Sequence, residues 1–366
     1  MKKTGIGIWC CGMLLIIFAL QSCSKEKIGL EDQKKNPITS QKSFSPISKS
    51  FYSEPELVTY SLSNRFYDES LVATPCEATE FGNVLSGYFE DLLKDPLFNF
   101  ELLNYYLELN RKYVTYYVGD NYYGEDGEFN QLGKKRMREL TKFWNLNREI
   151  ILNGQHTAFL NDREILTDMI ESFDRSVRNR EEAYAKADLL LAFNESSPNF
   201  PENPYFAFDA FTKSNGLLVI GDGLLKSITD IGIDSKLAFT AVLAHEWWHQ
   251  AQFEYDEEWD YIDQFSNSAE ISKFSELEAD FAAAYFLGHK RGATYNWKRL
   301  EEYFRLSFNV GDCLTQSPSH HGTPQQRLLA AKFGYELADS AQKKGFILSP
   351  SEVHSAFLEF YEAMGI

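Results

Sequence analysis

The sequence predicts an α+β fold that is mainly helical, with a small sheet placed shortly before one central helix. Two observations predict it. Apolar residues recur at spacings of three and four through much of residues 81–194, which is typical of amphipathic helices. Two short apolar runs, near residues 205–211 and 217–220, follow a polar break and precede an uninterrupted helical stretch at residues 234–255. We therefore expect an N-terminal helical region, then strands, then the helices of the C-terminal part.

The length of 366 residues allows one large domain or two small ones. The composition, 44% hydrophobic and 15% aromatic, is that of a globular protein. A formal net charge of −17 argues against binding nucleic acid or an anionic membrane through a basic patch. We expect a targeting segment at residues 1–22, a linker at 23–50, a helical region at 51–200 and a C-terminal domain at 201–366.

The first residues predict an export signal. Lys2 and Lys3 precede an apolar run at residues 5–20, which is too short for a comfortable transmembrane helix and fits the core of a signal peptide. The run ends in Leu-Gln-Ser-Cys, which resembles a bacterial lipobox. That resemblance implies that Cys23 carries a lipid anchor to the outer membrane of a bacterial envelope, facing the periplasm or the cell surface. A plain secretory signal and an uncleaved anchor are the alternatives.

The helical region is expected to contain helices from about residue 81, at 134–152 and at 162–193, with a loop rich in Gly, Asp, Asn and Tyr at 120–133. We interpret these helices as a support for the C-terminal domain. Their alternative role is to form one wall of a substrate cleft.

The helical stretch at residues 234–255 contains the pattern HExxH. His245 and His249 are four residues apart, so they lie on one face of the helix and can both reach one zinc ion. Glu246, beside them, can take a proton from a water molecule held at that ion. The alternative is that both residues are ordinary helix histidines.

A catalytic zinc ion needs a third protein ligand and one open position. Residues 275–288 are helical by composition, and Glu276 and Asp280 share one face of that helix, whereas Glu278 points elsewhere. Glu276 is therefore the candidate third ligand, and Asp280 is the candidate acceptor for the second N–H of a ligand histidine. A solvated acidic face is the alternative.

The pattern HExxH followed by Glu276-x-x-Ala279-Asp280 resembles the gluzincin peptidases, most closely zinc peptidases of the CAAX-prenyl-protease and heat-shock-protease types. Asn203, the Gly-Leu-Leu at residues 216–218, and a His-Gly pair with an arginine six residues on are similar to further features of that group. The resemblance covers about residues 203–331, roughly a third of the chain.

The resemblance implies a zincin-like fold with one zinc ion per chain and a peptide or protein substrate. It implies roles for the following residues: His245, His249 and Glu276 as zinc ligands, Glu246 as general base, Asp280 behind a ligand histidine, and His321 and Arg327 near the substrate.

In zincins the strand before the HExxH helix presents its edge to the peptide, which binds by strand addition. We assign that role to residues 217–220, with Leu218 and Val219 as substrate-binding residues. An internal strand without substrate contact is the alternative. The loop at residues 311–324 carries His320 and His321, and an imidazole there can stabilise the oxyanion of the tetrahedral intermediate. A surface histidine pair without a role is the alternative.

Two cysteines remain in the body expected after cleavage and lipidation, Cys76 and Cys313. They can form one disulfide bond in an oxidising compartment, and the sequence leaves this open. Neither has the spacing of a zinc ligand.

The sequence thus predicts a zinc-dependent endopeptidase that hydrolyses envelope or extracellular proteins, bound to the membrane through lipid on Cys23. One alternative is a catalytically inactive zincin-fold lipoprotein that acts as an envelope binding or chaperone module. Another is a zinc enzyme that acts on a non-peptide bond.

Overall fold

A computed structural model describes residues 59–61, 78–260, 265, 267–315, 317–344 and 346–364. The expected signal segment, the linker, Cys23 and Cys76 lie outside these residues. The described helices are α1 Glu80–Lys94, α2 Phe100–Tyr116, α3 Asn130–Trp144, α4 Arg163–Phe173, α5 Arg180–Ser196, α6 Asp222–Asp230, α7 Ser235–Glu254, α8 Asp256–Trp259, α9 Ser268–Gly288, α10 Trp297–Asn309, α11 Pro324–Lys344 and α12 Pro350–Met364. The described strands are β1 Thr59–Ser61, β2 Ile151–Gln155, β3 Ala210–Lys213 and β4 Leu217–Gly221. The prediction of a mainly helical α+β fold with a small sheet is confirmed.

The four strands form one sheet in the order β1-β3-β4-β2. Strand β4 pairs antiparallel with β3 on one side and parallel with β2 on the other. Because both of its edges are hydrogen-bonded, no peptide can add to β4. The assignment of Leu218 and Val219 to substrate binding by strand addition is therefore wrong, because β4 is an internal strand.

Side chains of β4 alternate between two hydrophobic clusters, as the two-residue period of a strand requires. Leu218 and Ile220 lie in a cluster with the residues of α7, α9 and α12, whereas Leu217 and Val219 lie in a cluster with residues of α2, α4 and α5. Residues from before position 200, such as Phe143, contribute to the first cluster. The expected regions 51–200 and 201–366 thus share one sheet, and both contribute to each of the two hydrophobic clusters.

Three expectations for the first 210 residues are corrected. The helix expected at residues 134–152 ends at Trp144, where Asn145 adopts a left-handed conformation, and residues 151–155 form β2. The helix expected at 162–193 is two helices, because Asp174 ends α4 and the side chain of Asn179 caps α5. The strand expected at 205–211 begins only at Ala210, after a 3₁₀ helix at Pro204–Ala207.

Helices α7 and α9 carry the residues of the expected metal site. Asp234 caps α7, since its Oδ1 accepts from the backbone N–H of Leu237 at 2.9 Å, and Asn267 caps α9 in the same way toward Glu270. Most residues of both helices are buried on every face. They pack against each other, and α11 covers α9. Such all-round burial holds side chains in fixed positions.

Among the described residues, the structure contains no helix that is both long enough and apolar enough to cross a membrane.

Candidate metal centre

Helix α7 brings two imidazoles together, and α9 adds a carboxylate. Oε2 of Glu276 lies 3.2 Å from Nε2 of His245, and Oε1 lies 3.5 Å from Nε2 of His249. One donor atom from each of the three residues lies within 4.8 Å of the others, and all three are buried. This group can hold a metal ion. Two nitrogen donors and one carboxylate oxygen at these distances fit the donor set of a zinc site that keeps one position open.

Asp280 and Arg327 lie behind His245. Oδ1 of Asp280 is 3.1 Å from Nδ1 of His245. The guanidinium of Arg327 donates to both oxygens of Asp280, at 2.6 and 2.9 Å, and its third nitrogen is 3.6 Å from Glu276. Asp280 therefore sits where an acceptor is needed to orient a ligand histidine, and Arg327 orients Asp280 in turn. Contact between Arg327 and a substrate stays a prediction.

The charges of this centre shift the pKa values of its members. Burial works against the protonated form of His245, but hydrogen bonds with Asp280 and Glu276 raise its pKa to about 10. Burial also opposes ionisation of Glu276, yet the positive charges and hydrogen bonds of His321, His245 and His249 hold its pKa well below the usual range. Burial lowers the pKa of His249. In the absence of a metal ion, the hydrogen bonds with Asp280 and Glu276 therefore favour the protonated form of His245.

Glu246 is only 1% exposed. Its Oε2 makes no hydrogen bond to any described residue. Burial raises the pKa of Glu246 well above its ordinary value, and the carboxylates of Glu276 and Asp209 add to this effect, while His245 opposes it. A carboxylate with a raised pKa is a stronger proton acceptor, which is what a general base requires.

The loop before α11 brings His321 to the same centre. Nε2 of His321 lies 4.0 Å from Oε1 of Glu276. Both His320 and His321 are 2% exposed, so the alternative of a surface pair is wrong. His320 bonds to Asp312 instead, with Nδ1 at 2.6 Å from Oδ1.

Asp312 is a residue that the sequence did not single out. Its Oδ2 accepts from the backbone N–H of His321 at 2.8 Å and lies 3.5 Å from the Nδ1 of that ring. Burial opposes ionisation of Asp312, but its hydrogen bonds with the two histidines hold its pKa well below the usual range. Asp312 therefore fixes the orientation of His321. The only available signal in the sequence was its position in a loop with two histidines.

A small, mostly apolar cavity adjoins the centre. It is lined by residues of α6, α7, α9, α10 and α11 and by the residue that follows α10: Ile228, Ala241, Val242, His245, Asp280, Tyr303, Leu306, Ser307, Val310 and Arg327. Val242 lies one helical turn before His245, so an apolar wall stands beside a candidate metal ligand. The cavity is therefore a small apolar space beside a candidate metal ligand. Leu218 and Val219, in contrast, lie within the sheet and its two cores.

Cys313, next to Asp312, is disulfide-bonded. Each of the other four cysteines lies outside the described residues, so the pairing with Cys76 remains a prediction.

In comparisons with known proteins, no family model matches the chain, and no curated protein or solved structure is significantly similar to it.

Proposed function

We propose that the protein is a zinc-dependent endopeptidase of the gluzincin type, with one zinc ion per chain held by His245, His249 and Glu276. The observation that carries the proposal is the convergence of these three residues from two helices, with the buried carboxylate of Glu246 beside them. A purely structural metal site has no use for an uncoordinated carboxylate next to its three ligands.

When bound, zinc polarises the carbonyl of the scissile bond and lowers the pKa of a water molecule to about 7. Glu246 takes the proton of the attacking water and later gives it to the leaving amine. His321, oriented by Asp312, donates a hydrogen bond to the oxyanion that develops on the substrate carbonyl. Asp280 and Arg327 hold His245 in the orientation that aims Nε2 at the centre.

The apolar cavity next to Val242 receives the side chain of the residue that follows the scissile bond. This assignment is supported by its position against His245 and by its apolar lining. The expected substrate is thus a peptide with an aliphatic residue at that position.

The burial of the centre favours a second candidate function. His245, the most exposed of the candidate ligands, is only 6% exposed, so little of the ligand set is open to solvent. A catalytically inactive zincin-fold protein that binds envelope partners would have such a closed site. A zinc enzyme that acts on a small non-peptide substrate is the remaining alternative.

Metal analysis combined with an activity assay separates these candidates. The purified mature chain is expected to contain about one zinc ion and to cleave an unfolded model protein such as casein, with loss of cleavage on adding a chelator and recovery on adding zinc. A chain that contains zinc but cleaves no protein or peptide contradicts the peptidase proposal. A chain that takes up no zinc contradicts the metal site itself.

We also propose that Cys23 carries a lipid that anchors the protein in the bacterial envelope, on the basis of the sequence before it. Replacement Cys23→Ser is expected to abolish labelling with a radioactive fatty acid and to release the protein from the membrane fraction. Unchanged labelling of the variant contradicts the proposal.

A further inference from the structure

The second candidate ligand, His249, has a hydrogen-bond partner that follows it on the same helix. Nδ1 of His249 lies 2.7 Å from Oε1 of Gln252. The amide nitrogen of Gln252 donates to the backbone carbonyl of Ser275 at 3.0 Å and to Oε2 of Glu278 at 2.7 Å. Gln252 is 2% exposed, so water does not compete for these bonds.

The chemistry of these partners fixes the orientation of the amide. A backbone carbonyl can only accept, so the atom of Gln252 that faces Ser275 must be the nitrogen. Its oxygen therefore faces His249 and accepts from Nδ1–H. With the proton on Nδ1, the lone pair of His249 is on Nε2, the nitrogen that faces Glu276 and the centre.

The chain of contacts continues to the last helix of the protein. Oε1 of Glu278 lies 2.6 Å from Nδ1 of His354, which belongs to α12. Glu278 is 0% exposed, and an unpaired carboxylate at such a position is strongly unfavourable. His354 supplies the second donor that Glu278 needs, and so helps to keep the carboxylate in place for Gln252.

His354 is held in turn by a ring. The side chain of Trp259 from α8 stacks on its imidazole, with ring centroids 4.2 Å apart and planes 4° from parallel. The indole N–H of Trp259 donates to Ser351, also on α12, at 3.2 Å. These two contacts hold α12 in place at His354, the end of the hydrogen-bond chain that is farthest from His249.

We infer that Gln252, Glu278 and His354 are positioning residues for His249, and that they make the metal affinity of the centre depend on the docking of α12. This inference rests on the proposed metal site. It assigns a role to Glu278, which faces Gln252 and His354 and takes no part in the proposed catalysis. Losing the partner of a metal-ligand histidine typically costs roughly 10–100-fold in metal affinity.

The test is the zinc affinity of the full mature chain, measured by competition with a chromophoric chelator, so it does not depend on activity. Gln252→Leu removes the acceptor for His249 and is expected to weaken zinc binding roughly 10–100-fold. Gln250→Leu is its matched control, because Gln250 is equally buried on α7 but bonds to Thr212, Lys213 and Arg148. The control is expected to bind zinc as wild type does.

A second pair tests the contribution of α12. His354→Phe keeps a ring that can stack on Trp259 but removes the donor to Glu278, so zinc affinity is expected to fall by about tenfold. His354→Asn keeps an N–H near the position of Nδ1 and is expected to retain the wild-type affinity. This pair also tests the inference if Gln252→Leu does not fold, because His354→Asn still provides a hydrogen-bond donor for the buried carboxylate of Glu278.

Different outcomes identify which proposal fails. A wild-type chain that binds zinc, together with Gln252→Leu or His354→Phe variants that bind it equally tightly, overturns the positioning role and leaves the metal site standing. Equal losses of zinc affinity in His354→Phe and His354→Asn also overturn it. The loss would then not depend on the hydrogen bond to Glu278. A wild-type chain that binds no zinc overturns the metal site and this inference together.

Discussion

Oδ1 of Asp280 lies 3.1 Å from Nδ1 of His245, on the opposite side of the imidazole from the nitrogen that faces Glu276. The imidazole is therefore held between two carboxylates. One of them is paired with Arg327, and the other completes the candidate ligand set. The arrangement favours a cation at this place, whether it is a proton on His245 or a metal ion.

The first prediction concerns the pH dependence of zinc binding. The pKa of His245 in the metal-free protein is raised to about 10, so at neutral pH zinc must displace a proton from it. Zinc affinity is expected to rise by about tenfold for each pH unit between pH 6 and 8, and to level off only near pH 10. Chelator competition at several pH values measures the slope. An affinity that stays constant over this range would show that His245 binds no proton in the metal-free state.

The second prediction concerns Asp280. Replacement Asp280→Asn keeps an oxygen that can accept from His245 but removes the negative charge. The pKa of His245 is then expected to fall toward its ordinary value, so the pH slope of zinc affinity flattens at neutral pH. Affinity itself is expected to weaken by about tenfold. A variant with the wild-type slope would assign the raised pKa to Glu276 alone.

The third prediction concerns Glu246. Replacement Glu246→Gln preserves the shape of the side chain but removes its capacity to take a proton. Zinc content is expected to be unchanged, while kcat falls by about 10²–10⁴-fold. Glu254→Gln on the same helix is the matched control, because Glu254 bonds to Asn147 and Arg148 away from the centre. An active, zinc-loaded Glu246→Gln protein would refute the role of general base.

The fourth prediction concerns Asp312. Replacement Asp312→Ala removes the acceptor for the backbone N–H of His321 and frees its ring to turn. Because His321 acts in the proposal on the developing oxyanion, kcat is expected to fall by about tenfold or more at unchanged zinc content. His320→Asn keeps a donor for Asp312 and is expected to have little effect. Wild-type kcat in the Asp312→Ala variant would show that His321 needs no such support.

The fifth prediction concerns the apolar cavity. Replacement Val242→Phe fills it with a larger side chain. For peptides with leucine after the scissile bond, kcat/KM is expected to fall by about tenfold or more, whereas peptides with alanine there lose much less. Paired peptides that differ at this one position measure the change. Equal losses for both peptides would place the cavity outside the substrate site.

Much of the metal centre could be predicted from the sequence, because its residues obey local helix geometry. His245 and His249 are four apart on α7, and Glu276 and Asp280 are four apart on α9, so each pair must share a face. Asp312 and Gln252 could not be predicted in the same way. Their contacts depend on how a loop folds and on how side chains are packed between helices, and neither is set by spacing.

The sheet was harder to predict than the helices. Residues 151–155 contain Asn and Gly and show no alternation, and the helix expected at residues 134–152 took in the first two of them, although all five form β2. The continuous apolar run of β4 was itself a sign of a strand buried on both faces, since a half-exposed edge strand alternates. Which strands lie beside it depends on chain topology, which local pattern does not determine.

Strand β2 belongs to the first half of the chain, yet it is paired with β4 residue by residue from Ile151 to Gln155. If the chain were divided after residue 200, the second fragment would contain β4 without β2. The backbone N–H and C=O groups along that edge of β4 would then lack hydrogen-bond partners. Each fragment produced alone is expected to aggregate. The two are expected to become soluble only when co-expressed, as a split protein whose halves complement each other through this strand pair.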